Sequence, residues 1–162
     1  DLFNKANLPA IDVGKSVSRV GSAAQEPAMK KVSSALKLEL SQYEEVAHFA
    51  RFGTDVGEVT RRQIEHGRKL HKLLNQGPNQ PVGIIDQSLM FYAFTQGFLE
   101  EIAEEDIPEF IKDMLEQLRN EAPQTLDELH TKRDFTKDIE TQLTQVLTQF
   151  ASEWAEKRKQ TA

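Results

Sequence analysis

Apolar side chains recur at spacings of three and four along most of the chain, a period that predicts amphipathic α-helices. The pattern begins at about residue 26 and continues to the C-terminus. The first predicted helix covers Pro27–Phe52, with proline in its first turn and Gly53 just past its end. Its apolar stripe consists of Met29, Val32, Leu36, Leu40, Tyr43, Ala47 and Ala50. The second predicted helix continues to about Asn75. Its residues expected to face the core are Val59, Ile64, Gly67, Leu70 and Leu73 or Leu74.

Turn and capping signals divide the remainder into further helices. The stretch Gln76–Gly83 holds two prolines and two glycines and predicts a loop, whereas Ile84–Leu99 is apolar on nearly all sides and predicts a buried central helix. Pro123 is expected to end the next helix, and a last long helix follows. Three pairs are predicted to form capping boxes at helix starts: Asp55 with Glu58, Asp106 with Glu109, and Thr125 with Glu128.

Residues 1–25 have a different character, with Pro9, Gly14 and Gly21 and no helical period. Short β-prone pieces occur at 10–13 and 17–20. The predicted fold is therefore all-α, a bundle of five to six helices over residues 26–162 with an irregular N-terminal arm over residues 1–25.

Composition narrows the possible functions. The 162 residues suit one domain with an appendage, and 26 acidic against 20 basic residues give a net charge of −6. This charge argues against general binding to nucleic acid. Without cysteine the chain has neither disulfides nor a thiolate metal site. Its apolar stretches fall far short of the ~20 residues of a membrane span.

Several patterns of reactive side chains have simpler explanations. Gly14-Lys15-Ser16 resembles the end of a phosphate-binding loop, but Pro9 stands where the first glycine is needed. His66 and His71 are five residues apart, off a common helix face, so no metal site is predicted; His48 and His130 are expected at the surface or an interface. The acids between Glu100 and Asp106 are interpreted as a solvated helix end.

Basic residues of the second predicted helix form a small patch that could meet an acidic partner or simply be solvated: Arg61, Arg62, Arg68, Lys69 and Lys72. Arg19 is the more interesting cation, because it lies between Gly14 and Gly21 in the one segment outside the bundle. An arginine on such a loop can reach across to another subunit, and its fork of donors suits a phosphoryl transition state. Most loop arginines are only solvated, so the residues alone leave both interpretations open.

The segment 9–25, with the string Ser16-Val17-Ser18-Arg19-Val20-Gly21, closely resembles the F-type ATP synthase alpha subunit where its nucleotide-binding domain meets its C-terminal helical domain. Further pieces continue the resemblance in register: Ala28–Val32, Leu36–Leu40 leading to Gln42-Tyr43, Phe49–Asp55 and Leu73–Gly77. The resemblance is strong over residues 1–100 and weaker beyond. It implies that the chain is the last part of such a subunit, beginning inside the nucleotide-binding domain and without that domain's phosphate-binding loop.

The resemblance also implies roles for particular residues. The arginine that matches Arg19 acts in the family as an arginine finger in the catalytic site of the neighbouring beta subunit. The residues that match Phe3 and Gln76 help to hold adenine at the non-catalytic site of alpha. The loop that contains Phe52, Gly53, Thr54 and Asp55 would face the central rotor stalk.

The implied partners are beta subunits on both sides and the gamma rotor subunit, with ATP or ADP and magnesium in the intact complex and no cofactor in this chain alone. The implied location is peripheral on an energy-coupling membrane, at the cytoplasmic face in bacteria or the inner face of the organelle membrane in eukaryotes. The chain alone is expected to be inactive.

Three positions depart from the family pattern. Leu8 replaces a usual arginine, Pro78 replaces a frequent glutamine, and Lys15 replaces a usually apolar residue. The first two weaken the expected adenine site. The alternative function is a free-standing helical module that binds a partner helix without enzymatic activity.

Overall fold

The fold is all-α, as predicted, in the computed structural model, which describes residues 8–12, 16–50 and 57–161. Within those ranges the chain forms no strand, and six of its helices have ten residues or more. The α-helices are α1 (Gly21–Ala24), α2 (Pro27–Ala50), α3 (Glu58–Leu74), α4 (Ile84–Thr95), α5 (Ile107–Glu121), α6 (Pro123–Lys132) and α7 (Lys137–Thr161). A 3-10 turn at Glu104–Asp106 precedes α5.

The helices form two groups that share one core. In the N-terminal group α2 packs against α3 and α4, and in the C-terminal group α5 packs against α6 and α7. Contacts of α3 and α4 with α5 join the groups. The core includes these fully buried side chains: Leu70, Leu89, Phe110, Met114, Leu118, Leu129, Ile139, Leu143 and Leu147.

Polar contacts also cross between the two groups. Arg119 Nη2 lies 2.8 Å from Asp86 Oδ2, and Lys31 Nζ lies 2.6 Å from Glu140 Oε1. The Tyr92 hydroxyl lies 3.1 Å from Thr144 Oγ1. The Tyr92 hydroxyl also donates to the Glu140 carbonyl at 3.4 Å, and burial raises the pKa of this phenol above its usual value.

An aromatic cluster closes the C-terminal group. The ring centroid of Phe110 lies 5.2 Å from that of Phe150 and 5.3 Å from that of Trp154, the latter edge to face. Trp154 Nε1 donates to Asp113 Oδ2 at 3.1 Å, and the Arg158 guanidinium lies over the Trp154 ring. The edge-to-face ring pair and the cation over the indole are both arrangements that the ring quadrupoles favour. The indole N–H has a hydrogen-bond acceptor in Asp113.

The predicted capping boxes at the fifth and sixth helices are wrong. Asp106 precedes α5 but makes no capping hydrogen bond, and instead Arg158 Nη2 donates to Asp106 at 2.5 Å and to Glu109 at 2.6 Å. A charged donor offers both carboxylates stronger hydrogen bonds than a backbone N–H does. Thr125 lies inside α6, which begins at Pro123, and its buried hydroxyl bonds Gln142.

Other local predictions also need correction. Gly57 is the N-cap of α3, and Val59 is exposed in the first turn rather than inward. The predicted box of Asp55 with Glu58 involves Asp55, which lies outside the described residues. The helix predicted to reach Leu99 ends at Thr95, because Gly97 takes a φ of +82°, a conformation that favours glycine. The β-prone residues 17–20 form no strand, since the described arm offers them no strand to pair with.

The crossing of α2 and α3 depends on Gly67. A Cβ atom at this position would lie 2.1 Å from Tyr43 Cδ2 and 2.6 Å from Tyr43 Cβ. Moving the ring alone would not relieve the contact with Cβ, so the two helix backbones would have to separate.

Overpacking at Gly67→Ala should cost about 1–3 kcal/mol. Alanine gains roughly 1 kcal/mol over glycine inside a helix, so the free energy of unfolding is expected to fall by up to about 2 kcal/mol and not to rise. Urea denaturation followed by circular dichroism measures the change. Gly57→Ala is the control for steric overlap, because a Cβ there meets nothing within 4 Å, and its only expected loss is the roughly 0.5–1 kcal/mol of alanine at an N-cap. A stabilised Gly67→Ala variant would contradict the close crossing.

Candidate functional site

The arm is fixed to the end of α3 by two hydrogen bonds at Leu8. The Leu8 N–H donates to Asn75 Oδ1 at 3.1 Å, and the Leu8 carbonyl accepts the Gln76 N–H at 2.8 Å. Asn75 is the C-cap residue of α3, and its own N–H bonds the His71 carbonyl at 3.1 Å. The arm therefore starts from a rigid part of the bundle.

Local hydrogen bonds shape the arm on both sides of Arg19. The Asp12 carbonyl accepts the Ser16 N–H at 2.9 Å and the Ser16 hydroxyl at 2.5 Å. Ser18 Oγ accepts the Gly21 N–H at 2.9 Å, at the start of α1. A Cβ at Gly21 would lie 2.9 Å from Ser18 Cβ, so glycine permits this tight turn.

Arg19 lies on this turn with its side chain exposed. Its neighbours Val17 and Val20 are 90% and 65% exposed, so this part of the arm stands away from the bundle. Among the residues that the structure describes, Arg19 has no hydrogen-bond or ion-pair partner. The guanidinium is thus presented outward, on a chain segment held at its base.

At its C-terminal end the arm is attached to the bundle by contacts of residues 26–28 with the end of α6. Arg133, the C-cap of α6, has a φ of +53°, and its carbonyl accepts the Ala28 N–H at 2.9 Å. Its guanidinium forms an ion pair with Glu26. The segment that carries Arg19 is therefore anchored at Leu8 on one side and at residues 26–28 on the other.

The similarity of this chain to known proteins shows the family to which it belongs. A family described as "ATP synthase alpha/beta chain, C terminal domain" matches residues 25–150. The protein named "ATP synthase subunit alpha" in Helicobacter pylori strains G27 and P12 is 40% identical to this chain over 156 residues, which covers 96% of this chain and 31% of the relative. The chain belongs to the ATP synthase alpha/beta C-terminal domain family. It spans less than a third of the length of these relatives.

The similarity to the alpha subunits extends beyond the family's C-terminal domain. That domain match begins at residue 25, after Arg19, whereas the 156-residue match leaves six of the 162 residues uncovered. The arm and Arg19 therefore fall within the stretch that matches the alpha subunits. This agrees with the resemblance carried by the Ser18-Arg19-Val20 segment.

The described residues of this family member do not by themselves make up an adenine site. Phe3 lies outside the described residues. Gln76 is half-buried beside a cavity of about 250 Å³ under the arm, but its Nε2 donates to the Gln80 carbonyl at 2.7 Å. The loop of Phe52, Gly53, Thr54 and Asp55 also lies outside the described residues, and so do Gly14 and Lys15.

The histidines described in this C-terminal domain have local roles or face solvent. His66 Nε2 lies 3.1 Å from Glu39 Oε2 and its ring packs on Phe94, whereas His71 packs edge to face on Tyr43. Where side chains are described, no three His, Asp or Glu residues come close enough to hold a metal ion. Likewise, no helix in the described ranges is long and apolar enough to cross a membrane.

Some members of the two charged clusters have partners within the described part of the chain. Among the acids near residue 104, Asp106 pairs with Arg158. In the basic patch, Arg62 pairs with Glu58, and Lys69 Nζ donates to the carbonyls of Leu99 and Glu100. Sequence reasoning assigned no contact to Asn75 or Arg133, since both bind residues that are distant in the chain.

Proposed function

We propose that this chain is the C-terminal part of the alpha subunit, the regulatory and non-catalytic subunit, of an ion-translocating F-type ATP synthase. The observation that carries the proposal is the 40% identity to alpha subunits over 96% of the chain. In this assignment residues 1–25 are the remnant of a nucleotide-binding domain and residues 26–162 are the C-terminal helical bundle. The complex synthesises or hydrolyses ATP coupled to ion transport.

Arg19 acts in this proposal as an arginine finger on the neighbouring beta subunit. Its exposure and outward position on an anchored turn support such a role in trans. In the transferring phosphoryl group, charge is spread over the equatorial oxygens, and a guanidinium neutralises part of it. The planar fork of donors also fixes direction, which an ammonium does not.

The remaining assignments concern partners and location. The bundle would lie between two beta subunits, with the loop at 52–55 toward the gamma rotor subunit. The complex would be peripheral on an energy-coupling membrane, facing the cytoplasm in a bacterium or the interior of an organelle. Nucleotide with magnesium belongs to the intact complex, and the chain alone would neither bind ATP tightly nor hydrolyse it.

A chimeric alpha subunit tests the proposal. The C-terminal region of the Helicobacter pylori alpha subunit is replaced by this chain and expressed with its own beta and gamma subunits. We expect a complex of normal composition with ATPase activity above that of beta alone. The control carries the same N-terminal region without any replacement. An unassembled chimera whose bundle is folded would favour the alternative, a free-standing interaction module.

A further inference from the structure

We propose that Asn75 is a positioning residue for Arg19, acting through the base of the arm. This inference rests on the proposed function, because it requires that Arg19 serves a reaction in the neighbouring subunit. Asn75 itself touches neither nucleotide nor reacting atoms in this account. Its task is to hold the arm where the guanidinium can reach its target.

The contact at Leu8 is well placed for this task. Asn75 Oδ1 accepts the Leu8 N–H, and the adjacent Gln76 N–H donates to the Leu8 carbonyl, so both backbone polar groups of Leu8 are bound. The Asn75 backbone is held by the carbonyls of His71 and Lys72 at 3.1 and 3.3 Å. Leu73, two residues earlier, is buried in the core. The acceptor therefore belongs to the rigid bundle.

Further hydrogen bonds of the described arm lie between Leu8 and Arg19. The Ile11 N–H bonds the Pro9 carbonyl at 2.7 Å, and Ser16 bonds the Asp12 carbonyl. On the far side, Ala28 is tied to Arg133. The turn at Ser18–Gly21 therefore lies between two points at which the arm is attached to the bundle. Removing the Asn75 side chain leaves one of the two hydrogen bonds at Leu8.

A small displacement of a catalytic group is costly in rate. A mutation far from the chemistry that misplaces a catalytic group by about 1 Å can lower turnover by about 10²-fold. Because Asn75→Ala loosens the arm rather than releasing it, we expect about a 10-fold loss of multisite turnover in the assembled complex. Asn75→Asp keeps an oxygen acceptor for the Leu8 N–H, so it should restore turnover to within about 2-fold of the parent.

Measurements of KM, kcat and the thermal midpoint distinguish a positioning role of Asn75 from a role in stability. Asn120→Ala is the control, since Asn120 is an exposed asparagine on α5 far along the chain from the arm. The apparent KM for ATP should change less than kcat in Asn75→Ala, because the residue acts on a group that serves the transition state. The thermal midpoint of the complex should stay near that of Asn120→Ala.

A double variant decides whether Asn75 acts through Arg19. If it does, Asn75→Ala combined with Arg19→Lys should be no slower than Arg19→Lys alone. A further 10-fold loss in the double variant would overturn the inference, and so would parent turnover in Asn75→Ala. If Arg19→Lys alone leaves the multisite turnover unchanged, the proposed role of Arg19 as an arginine finger is refuted, and the inference about Asn75 falls with it. A slow Arg19→Lys complex beside a normal Asn75→Ala complex leaves the proposed function standing and refutes only the inference.

Discussion

Arg19→Lys is expected to lower the multisite turnover of the assembled complex by roughly 10³-fold or more, the usual loss when an arginine finger is removed. The lysine keeps the positive charge but loses the planar fork that contacts two phosphoryl oxygens at once. Single-site affinity for ATP at the beta subunit should change far less, because the finger acts on the transition state. Steady-state ATPase assays and single-turnover binding measure the two quantities.

Assembly should survive this substitution, because Arg19 is exposed and makes no contact with the described bundle. Arg119→Lys is the matched control, the same change at an arginine that pairs with Asp86 on the bundle surface. We expect the control to stay within about 2-fold of the parent turnover, since an exposed pair contributes at most about 1 kcal/mol and lysine retains it. Near-normal turnover in an assembled Arg19→Lys complex would contradict the proposed role of Arg19.

Phe110→Ala is expected to lower the free energy of unfolding by about 3–5 kcal/mol, the largest stability loss foreseen for this chain. The ring is fully buried and packs on both Phe150 and Trp154, so its removal leaves a cavity between α5 and α7. For a chain of this length the thermal midpoint should fall by about 10 °C. Far-UV circular dichroism is the suitable probe, because the fluorescence of Trp154 would change for local reasons.

Leu38→Ala provides the comparison for Phe110→Ala. Leu38 is 61% exposed on α2, so its truncation should change stability by no more than about 0.5 kcal/mol. Equal losses in the two variants would mean that the aromatic cluster does not belong to the cooperative core.

Periodicity predicted the helices well, because burial of one face is a local pattern. Pro27 begins α2 and Pro123 follows the end of α5, as their missing N–H groups require. Met29, Val32, Leu36 and Leu40 are buried as the stripe on α2 predicts. These outcomes depend on residues three or four positions apart, which the sequence displays directly.

Partners distant in sequence account for the errors. Asp106 and Glu109 have the spacing of a capping box, yet both bind Arg158, about fifty residues later on α7. Thr125 was an expected cap, but Gln142 approaches it from another helix. Neither partner can be recognised without knowing how α5, α6 and α7 pack together.

In the candidate site, too, local sequence patterns could be recognised and contacts between distant residues could not. Arg19 could be singled out, because it lies in a specific string with glycines on either side, although its role as an arginine finger stays a prediction. Asn75 could not be singled out, because the role proposed for it depends on a hydrogen bond to a residue 67 positions earlier in the chain. Gln76 was singled out for adenine, whereas its amide N–H is engaged by Gln80 in its own loop.

The division of the bundle into two helix groups sets an order of events during synthesis. α4 ends at Thr95 and α5 is complete at Glu121, 26 residues later, so a ribosome adding roughly 5–20 residues per second needs roughly 1–5 s to make α5 after α4. In that interval α2, α3 and α4 can already pack on one another, while the surface that will receive α5 stays uncovered. The nascent chain therefore exposes an apolar face before its C-terminal half emerges, and chaperones have this period in which to protect it.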